Sequence, residues 1–305
     1  MTDLRCSDAA RRRGDPLVGT APPARRWLLL EQDAGWSSAA FDGMSLNPEV
    51  KRSVANAAAG AGARIMLIRR PGRRTSPVCL EHAWCLVDAG AAEPVTWGSW
   101  AYDDDLDSAV QLLDERAGAG TEPPPLCAPQ AAPELLLVCT HGRHDVCCAT
   151  RGRPVAATLA QRWPEATWEC SHTGGDRFAA NVVVLPEGVV YGGLDPDSAR
   201  DVVAAHHEGS PSTAHLRGVA GHLPAVQAAL AAVHEARGPL PWGAVQPVRS
   251  TTDGEVHRVV VAGPDDLVEV IVHMQVAPAR QLTCSASTLG RAMVPVVQSV
   301  RTITA

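Results

Sequence analysis

Apolar residues along this chain come in short runs broken by polar, glycine- and proline-rich stretches, the spacing of buried strands alternating with helices. Trp27-Leu28-Leu29-Leu30-Glu31 predicts a first strand. Pro48 to Gly60 predicts a helix, because proline sits near its start and Val50, Val54, Ala57 and Ala58 share one face. Arg64-Ile65-Met66-Leu67-Ile68, His82 to Val87 and Pro94 to Trp100 predict three further strands. Asp104 to Glu115 predicts a helix with Leu106, Val110, Leu112 and Leu113 as its apolar positions. A second series follows a run of prolines. Glu134 to Cys139 reads as a strand, Pro154 to Trp163 as a helix, Thr167 to Ser171 as a strand, and Val182–Leu185 with Val189–Tyr191 as a hairpin around Pro186-Glu187-Gly188. Pro196 to His206 and Pro224 to Arg237 read as helices. Val256–Val261 and Leu267–Val272 alternate around Pro264-Asp265-Asp266, the pattern of an antiparallel hairpin in a small sheet ending near Val300.

The pattern predicts an α/β protein with five parts. Residues 1–24, rich in Arg, Asp, Gly and Pro, read as a flexible arm. Residues 25–120 read as an N-terminal α/β domain, 121–133 as a proline-rich linker, 134–207 as a second α/β domain, and 208–305 as a C-terminal helix plus β region. The second domain has the order β-α-β-β-β-α and the first a similar one. The expectation is two thioredoxin-like units in tandem, the first degenerate and only the second carrying ligands, although other α/β domains share such an order.

Composition narrows the functions. Lys and Arg number 27 against 33 Asp and Glu, a net charge of −6, so nothing global favours nucleic acid. Two Tyr and two Phe are fewer than a surface that stacks nucleic-acid bases usually shows. No window supplies the roughly 20 apolar residues of a membrane helix, and no secretory h-region stands near the start, so a cytoplasmic, reducing location is the expectation. In such a compartment the nine cysteines point to metal or redox chemistry before structural disulfides.

Two stretches carry candidate chemistry. Cys139-Thr140-His141-Gly142-Arg143-His144-Asp145-Val146-Cys147-Cys148 leaves one predicted strand, and Ser171-His172-Thr173-Gly174-Gly175-Asp176-Arg177-Phe178 leaves the next. If those strands are parallel neighbours joined by one helix, both loops emerge at the same sheet edge. Cys139, Cys148, His172 and Asp176 then converge. Thiolates with an imidazole select iron–sulfur, zinc or copper(I) over magnesium or calcium. The nine-residue spacing is not that of a compact zinc knuckle. Together with His172 and Asp176 four apart around Gly174 and Gly175, which let the backbone curl around an inorganic centre, it fits a [2Fe–2S] cluster held by two loops at a sheet edge.

With Gly152, Pro154, Trp168, Arg177-Phe178-Ala179, Leu185-Pro186-Glu-Gly188 and Tyr191-Gly192, these motifs resemble the sucrase/ferredoxin-like family, a branch of the thioredoxin-like [2Fe–2S] ferredoxins. Gly19-Thr-Ala-Pro-Pro-Ala-Arg-Arg-Trp27 resembles the family's opening, and the similarity spans roughly residues 18 to 207. The resemblance implies two cysteine ligands, Cys139 and Cys148, and two histidines in a His-x-Gly-Gly-His pattern. His172 holds the first histidine position and Asp176 stands at the second. Three outcomes follow: the carboxylate ligates iron; His141, His144 or Cys147 substitutes; or the cluster is lost and the fold kept.

The leading expectation is an electron-transfer protein with mixed Cys/His/Asp ligation of a [2Fe–2S] cluster and a protein redox partner, and with neither nucleic acid nor membrane as partner. The alternatives are a thiol–disulfide redox protein using Cys139 with Cys147 or Cys148, and a zinc-containing or metal-free scaffold. Arg143 and Arg177 read equally as groups that donate to cluster sulfurs or attract an acidic partner, and as a solvated rim. His206, His207, His215 and His222 read as surface or helix-end residues. No phosphate loop, nucleotide fingerprint, G-x-S-x-G or recognisable glycosidase carboxylate pair accompanies them.

Overall fold

The computed structural model describes residues 5–72, 81–89, 91–117, 134–238, 240–241 and 243–303. The expected linker, 121–133, lies outside them. Strands β1 (Arg26–Glu31), β2 (Ala63–Arg69), β3 (His82–Asp88) and β4 (Val95–Trp100) form one half of a large sheet, with helices α2 (Pro48–Gly60) and α3 (Asp107–Ala117). Strands β5 (Leu135–Cys139), β6 (Thr167–Cys170), β7 (Val182–Leu185), β8 (Val189–Tyr191) and β9 (Leu216–Val219) form the other, with α4 (Val146–Arg162) and α5 (Pro196–His207). The sheet runs β4-β3-β1-β2-β6-β5-β7-β8-β9. A second, antiparallel sheet of β10 (Gln246–Asp253), β11 (Val256–Ala262), β12 (Leu267–Val276) and β13 (Met293–Ile303) follows α6 (Pro224–Arg237).

The two halves repeat one plan. β1 runs parallel to β2 and antiparallel to β3, as β5 runs parallel to β6 and antiparallel to β7. Each parallel pair is joined by one helix, α2 or α4. The halves meet where β2 and β6 pair antiparallel through only Ile68 with Cys170 and Arg69 with Glu169.

Strand alternation places the core on both faces of the sheet. Leu28 and Leu30 face α2 and α3 with Val54, Leu106 and Leu113. Leu136 and Val138 face α4, α5 and α6, in a cluster that continues into Val259, Val268 and Val270 of the second sheet. The alternate residues Trp27 and Leu29 join Leu135, Leu137 and Cys139 in a cluster shared by both halves.

Proline near a helix start marks α2, α5 and α6, each with Pro at its first turn. The same rule misplaces α4. That helix begins at Val146, eight residues before Pro154, because Asp145 caps it by accepting from the Cys147 N–H at 2.8 Å. The arm expected over 1–24 is also corrected. Helix α1 (Cys6–Arg13) ends on Gly14 in the left-handed region at φ 64°, and Cys6 is fully buried. Arg11 Nη2 docks the helix by donating to Ala179 O at 2.9 Å and Leu194 O at 3.0 Å. Composition hid it, because its buried side is only Cys6, Ser7 and Ala10.

Candidate functional site

Cys139 ends β5 opposite Cys170, the last residue of β6, so the loops that leave these strands start side by side. The first loop turns into α4, whose opening turn carries Cys148. That close return needs Gly152, since a Cβ there would lie 2.0 Å from Cys139 O. The second loop carries His172 and then Asp176, which opens a short 3-10 turn.

The ligand atoms of Cys139, Cys148 and His172 lie within 4.8 Å of one another, as do those of His144, His172 and Asp176. Asp176 Oδ1 accepts from Cys148 Sγ at 3.3 Å and stands 3.0 Å from His172 Nδ1. Nδ1 is buried and not aligned with any hydrogen-bond partner. Cys139, Cys148 and Asp176 are 1, 0 and 2% exposed, whereas the side chains of His172 and His144 keep 25 and 36%. The site is thus sulfur and carboxylate inside, imidazole outside.

The charges are set by these neighbours. Hydrogen bonding from Cys148 holds the Cys139 thiol well below its ordinary range against the cost of burial. Burial opposes protonation of His172, but Asp176 and the Cys139 sulfur outweigh it and raise the imidazole to about 9. Burial likewise opposes ionisation of Asp176, and His172 outweighs it, so this carboxyl is lowered.

The loop of residues 172–175 is clamped carbonyl by carbonyl. Arg64 donates to His172 O at 2.6 Å and Thr173 O at 3.0 Å. Arg217, fully buried, donates to Gly174 O at 2.8 Å and to Asn181 Oδ1 at 2.9 Å. Asn181 donates to Gly175 O at 3.1 Å. Gly175 has φ 78°, and a Cβ there would meet the Arg217 guanidinium at 2.4 Å. Desolvation lowers Arg217 to about 9, opposed by the negative charge of Cys139 and Asp176. Just before the loop, Ser171 N donates to Leu67 O at 2.8 Å and Ser171 Oγ accepts from Leu67 N at 3.0 Å. β2 of the first half is therefore the wall against which the second ligand loop is built.

The proposed substitutes for the fourth ligand separate clearly. His141 Nε2 lies 2.7 Å from Ser37 O, and its Nδ1 accepts from His172 N at 3.3 Å, so both ring nitrogens are engaged. Cys147 points away, 3.3 Å from Cys284 Sγ and 3.6 Å from Cys6 Sγ. His144 remains, stacked on His172 at 3.7 Å between ring centroids, its Nε2 3.7 Å from Asp176 Oδ2.

Arg143 is exposed at the lip. Arg177 is no rim residue: it is 9% exposed, over the Phe178 ring at 4.5 Å and 3.8 Å from Asp15. Of the distant histidines, His206 and His207 do close α5, as read, but His206 and His222 are not surface residues: each is 6% exposed, and His206 Nδ1 lies 3.0 Å from the Tyr191 hydroxyl. Sequence reasoning missed Arg64, Arg217, Cys6 and Cys284. Arg217 carried one signal, an arginine inside the short apolar run Leu216–Val219.

The sucrase/ferredoxin-like family model matches residues 17–218, which contain both ligand loops and both clamping arginines. The chain belongs to the sucrase/ferredoxin-like family. An 80-residue stretch of the chain is 35% identical to altered inheritance of mitochondria protein 32 of Meyerozyma guilliermondii. That stretch is 23% of this chain and 28% of the relative, so the shared segment is a minor part of each. No solved structure matches the chain. Among the described residues no helix is long and apolar enough to cross a membrane.

Proposed function

We propose that this protein is an electron-transfer protein that holds a [2Fe–2S] cluster on Cys139, Cys148, His172 and Asp176 and serves a protein redox partner. The observation that carries the reading is the convergence of two thiols, an imidazole and a buried carboxylate from the loops of two adjacent parallel strands. The residues fit the group. The donors are soft sulfur, borderline nitrogen and one carboxylate, a set suited to iron. The buried His172 Nδ1, without an aligned partner, is the kind of atom that a metal satisfies. A cluster bound there supplies one-electron reduction and oxidation.

The chain's own residues do the rest. Cys139 and Cys148 hold the buried side, and His172 holds the side that reaches solvent. Asp176 is the fourth ligand in this reading, because its carboxylate is buried 3.3 Å from Cys148 Sγ, whereas His141 and Cys147 are engaged elsewhere and His144 stacks on His172 at the exposed side. Arg64 and Arg217 fix the loop and place one half-buried and one buried cation near a centre of net negative charge. The exposed edge of His172 and His144, with Arg143 beside it, is the face offered to the partner. Both halves are read as thioredoxin-like units in tandem, on the strength of their shared strand order β4-β3-β1-β2 and β8-β7-β5-β6.

The test is a visible spectrum with iron and sulfide assays on protein purified without oxygen. The expected result is brown protein with about two irons and two sulfides per chain. Colourless protein, still free of iron after anaerobic reconstitution, would refute it. In the coloured protein, Asp176→His should raise the reduction potential, since imidazole is neutral and carboxylate anionic.

A further inference from the structure

Cys147 and Cys148 are neighbours in sequence but serve different places. Cys148 joins the group around Cys139. Cys147 faces the other way, into a pocket made with Cys6 of α1 and Cys284 of the loop between β12 and β13. The three sulfurs form a nearly equilateral triangle with edges of 3.3, 3.5 and 3.6 Å. Asp145 closes it, its Oδ2 3.7 Å from Cys6 Sγ. All four ligand atoms lie within 4.8 Å of one another.

We propose that Cys6, Cys147, Cys284 and Asp145 form a second, structural metal site that takes Zn²⁺. Zinc–sulfur bonds of about 2.3 Å in a tetrahedron place the sulfurs ~3.8 Å apart, close to the triangle here. A disulfide would use two of these sulfurs and leave the third stranded, whereas the near-equal edges favour a common centre. Three soft sulfurs and one carboxylate select zinc over calcium or magnesium. Four protein ligands leave no open position, which is the mark of a structural rather than a catalytic zinc.

Two helix starts and two hydrogen-bond donors face the sulfurs. Cys6 opens α1 and Cys147 lies in the first turn of α4, so two positive helix ends converge on the site. Cys6 N donates to Cys284 Sγ at 3.4 Å and Ser7 Oγ to Cys147 Sγ at 3.2 Å. Asp145 is pre-set as well, accepting from Cys147 N at 2.8 Å and Cys284 N at 2.6 Å. Cys6 and Cys147 are fully buried and Cys284 is half-buried, so an ion would enter past Cys284. On binding, the thiols release their protons to solvent and the ion fastens both ends of the chain to α4.

The test is metal analysis of the full chain, purified anaerobically under thiol reductant, as wild type, Cys6→Ser, Cys284→Ser and Cys139→Ser. The proposal expects about one zinc per chain in wild type and Cys139→Ser, and its loss in Cys6→Ser and Cys284→Ser with any visible chromophore kept. Cobalt(II) added to chelator-treated wild type should give thiolate-to-cobalt absorption that one equivalent of zinc removes, a readout independent of how the variants fold. Reduced wild type without zinc and without cobalt absorption would overturn the site. So would a native disulfide joining two of these cysteines. Zinc lost in Cys139→Ser instead, or iron and colour lost in Cys284→Ser, would assign the cysteines otherwise and overturn it too.

Discussion

The two halves of the large sheet share a strand order and a crossover helix, yet their loops do different work. In the second half, the segments after β5 and β6 carry Cys139, Cys148, His172 and Asp176. In the first, the segment after β1 offers Ser37 O to His141, while β2 offers Leu67 and Arg64 to the loop of Ser171 to Thr173. The first half has no convergent ligands among its described residues, and it is still part of the site. The comparison teaches that a unit without ligands can be the wall that shapes its neighbour's ligand loop. A narrow seam suffices, because side chains extend it: Arg69 Nη2 pairs with Glu169 Oε2 at 2.7 Å, and Glu169 also accepts from Thr140 Oγ1 at 3.1 Å.

The largest test of that division swaps cysteines between the halves. Cys139→Ser or Cys148→Ser should abolish visible absorption, while Cys85→Ala, buried in β3 of the first half, should leave it intact and cost roughly 1 kcal/mol of stability. Equal loss of colour in all three would break the comparison. Next comes the clamp. Arg64→Met leaves two loop carbonyls without their donor and should cost about 2–3 kcal/mol in denaturant unfolding. It should also lower iron retention, although Arg64 touches no ligand atom. Unchanged iron content would reduce the first half to a passive neighbour.

The acid response sharpens the comparison from the other side. Burial lowers His206 to about 3 and His222 and His234 to about 4, and all three lie on or beside α5 and α6. Unfolded imidazoles titrate near 6.5, so below that pH the unfolded chain binds protons that the folded chain refuses. The stability these neutral histidines give is complete above about pH 6.5 and is lost as pH falls toward 4. Each should account for about 1–2 kcal/mol by pH 5, and His222→Gln should flatten the decline. A melting temperature flat from pH 7 to 4.5 would contradict this. The smallest effect belongs to the seam: Arg69→Ala should cost about 1 kcal/mol, since the pair is partly exposed. A loss of several kcal/mol would mean that the ion pair, rather than the shared apolar cluster, joins the halves.

Local signals in the sequence were sufficient where local physics decides. Helices α2, α5 and α6 start at prolines, and the strands of both halves are apolar runs. The convergence of Cys139, Cys148, His172 and Asp176 follows from parallel neighbours joined by one helix. The start of α4 was illegible because two local rules compete there, and the Asp145 cap wins over the proline rule. Helix α1 and Cys284 were illegible for another reason. Their partners are 141 and 137 residues away along the chain, as Cys6 and Cys284 find Cys147, and no periodicity reports such a contact. The roles of Arg64 and Arg217 are equally non-local, since each reaches a loop from a different strand.

In the proposed cluster site one imidazole and one carboxylate complete the ligand set. Electron paramagnetic resonance of the dithionite-reduced protein, with nitrogen hyperfine resolved by pulsed methods and histidine labelled with ¹⁵N, reads that directly. The predicted result is a reduced [2Fe–2S] signal coupled to one histidine nitrogen, lost when His172 is replaced by cysteine. Coupling to two histidine nitrogens would put His144 in the place of Asp176, and the absence of any nitrogen coupling, or of any signal, would contradict the assignment of His172 itself.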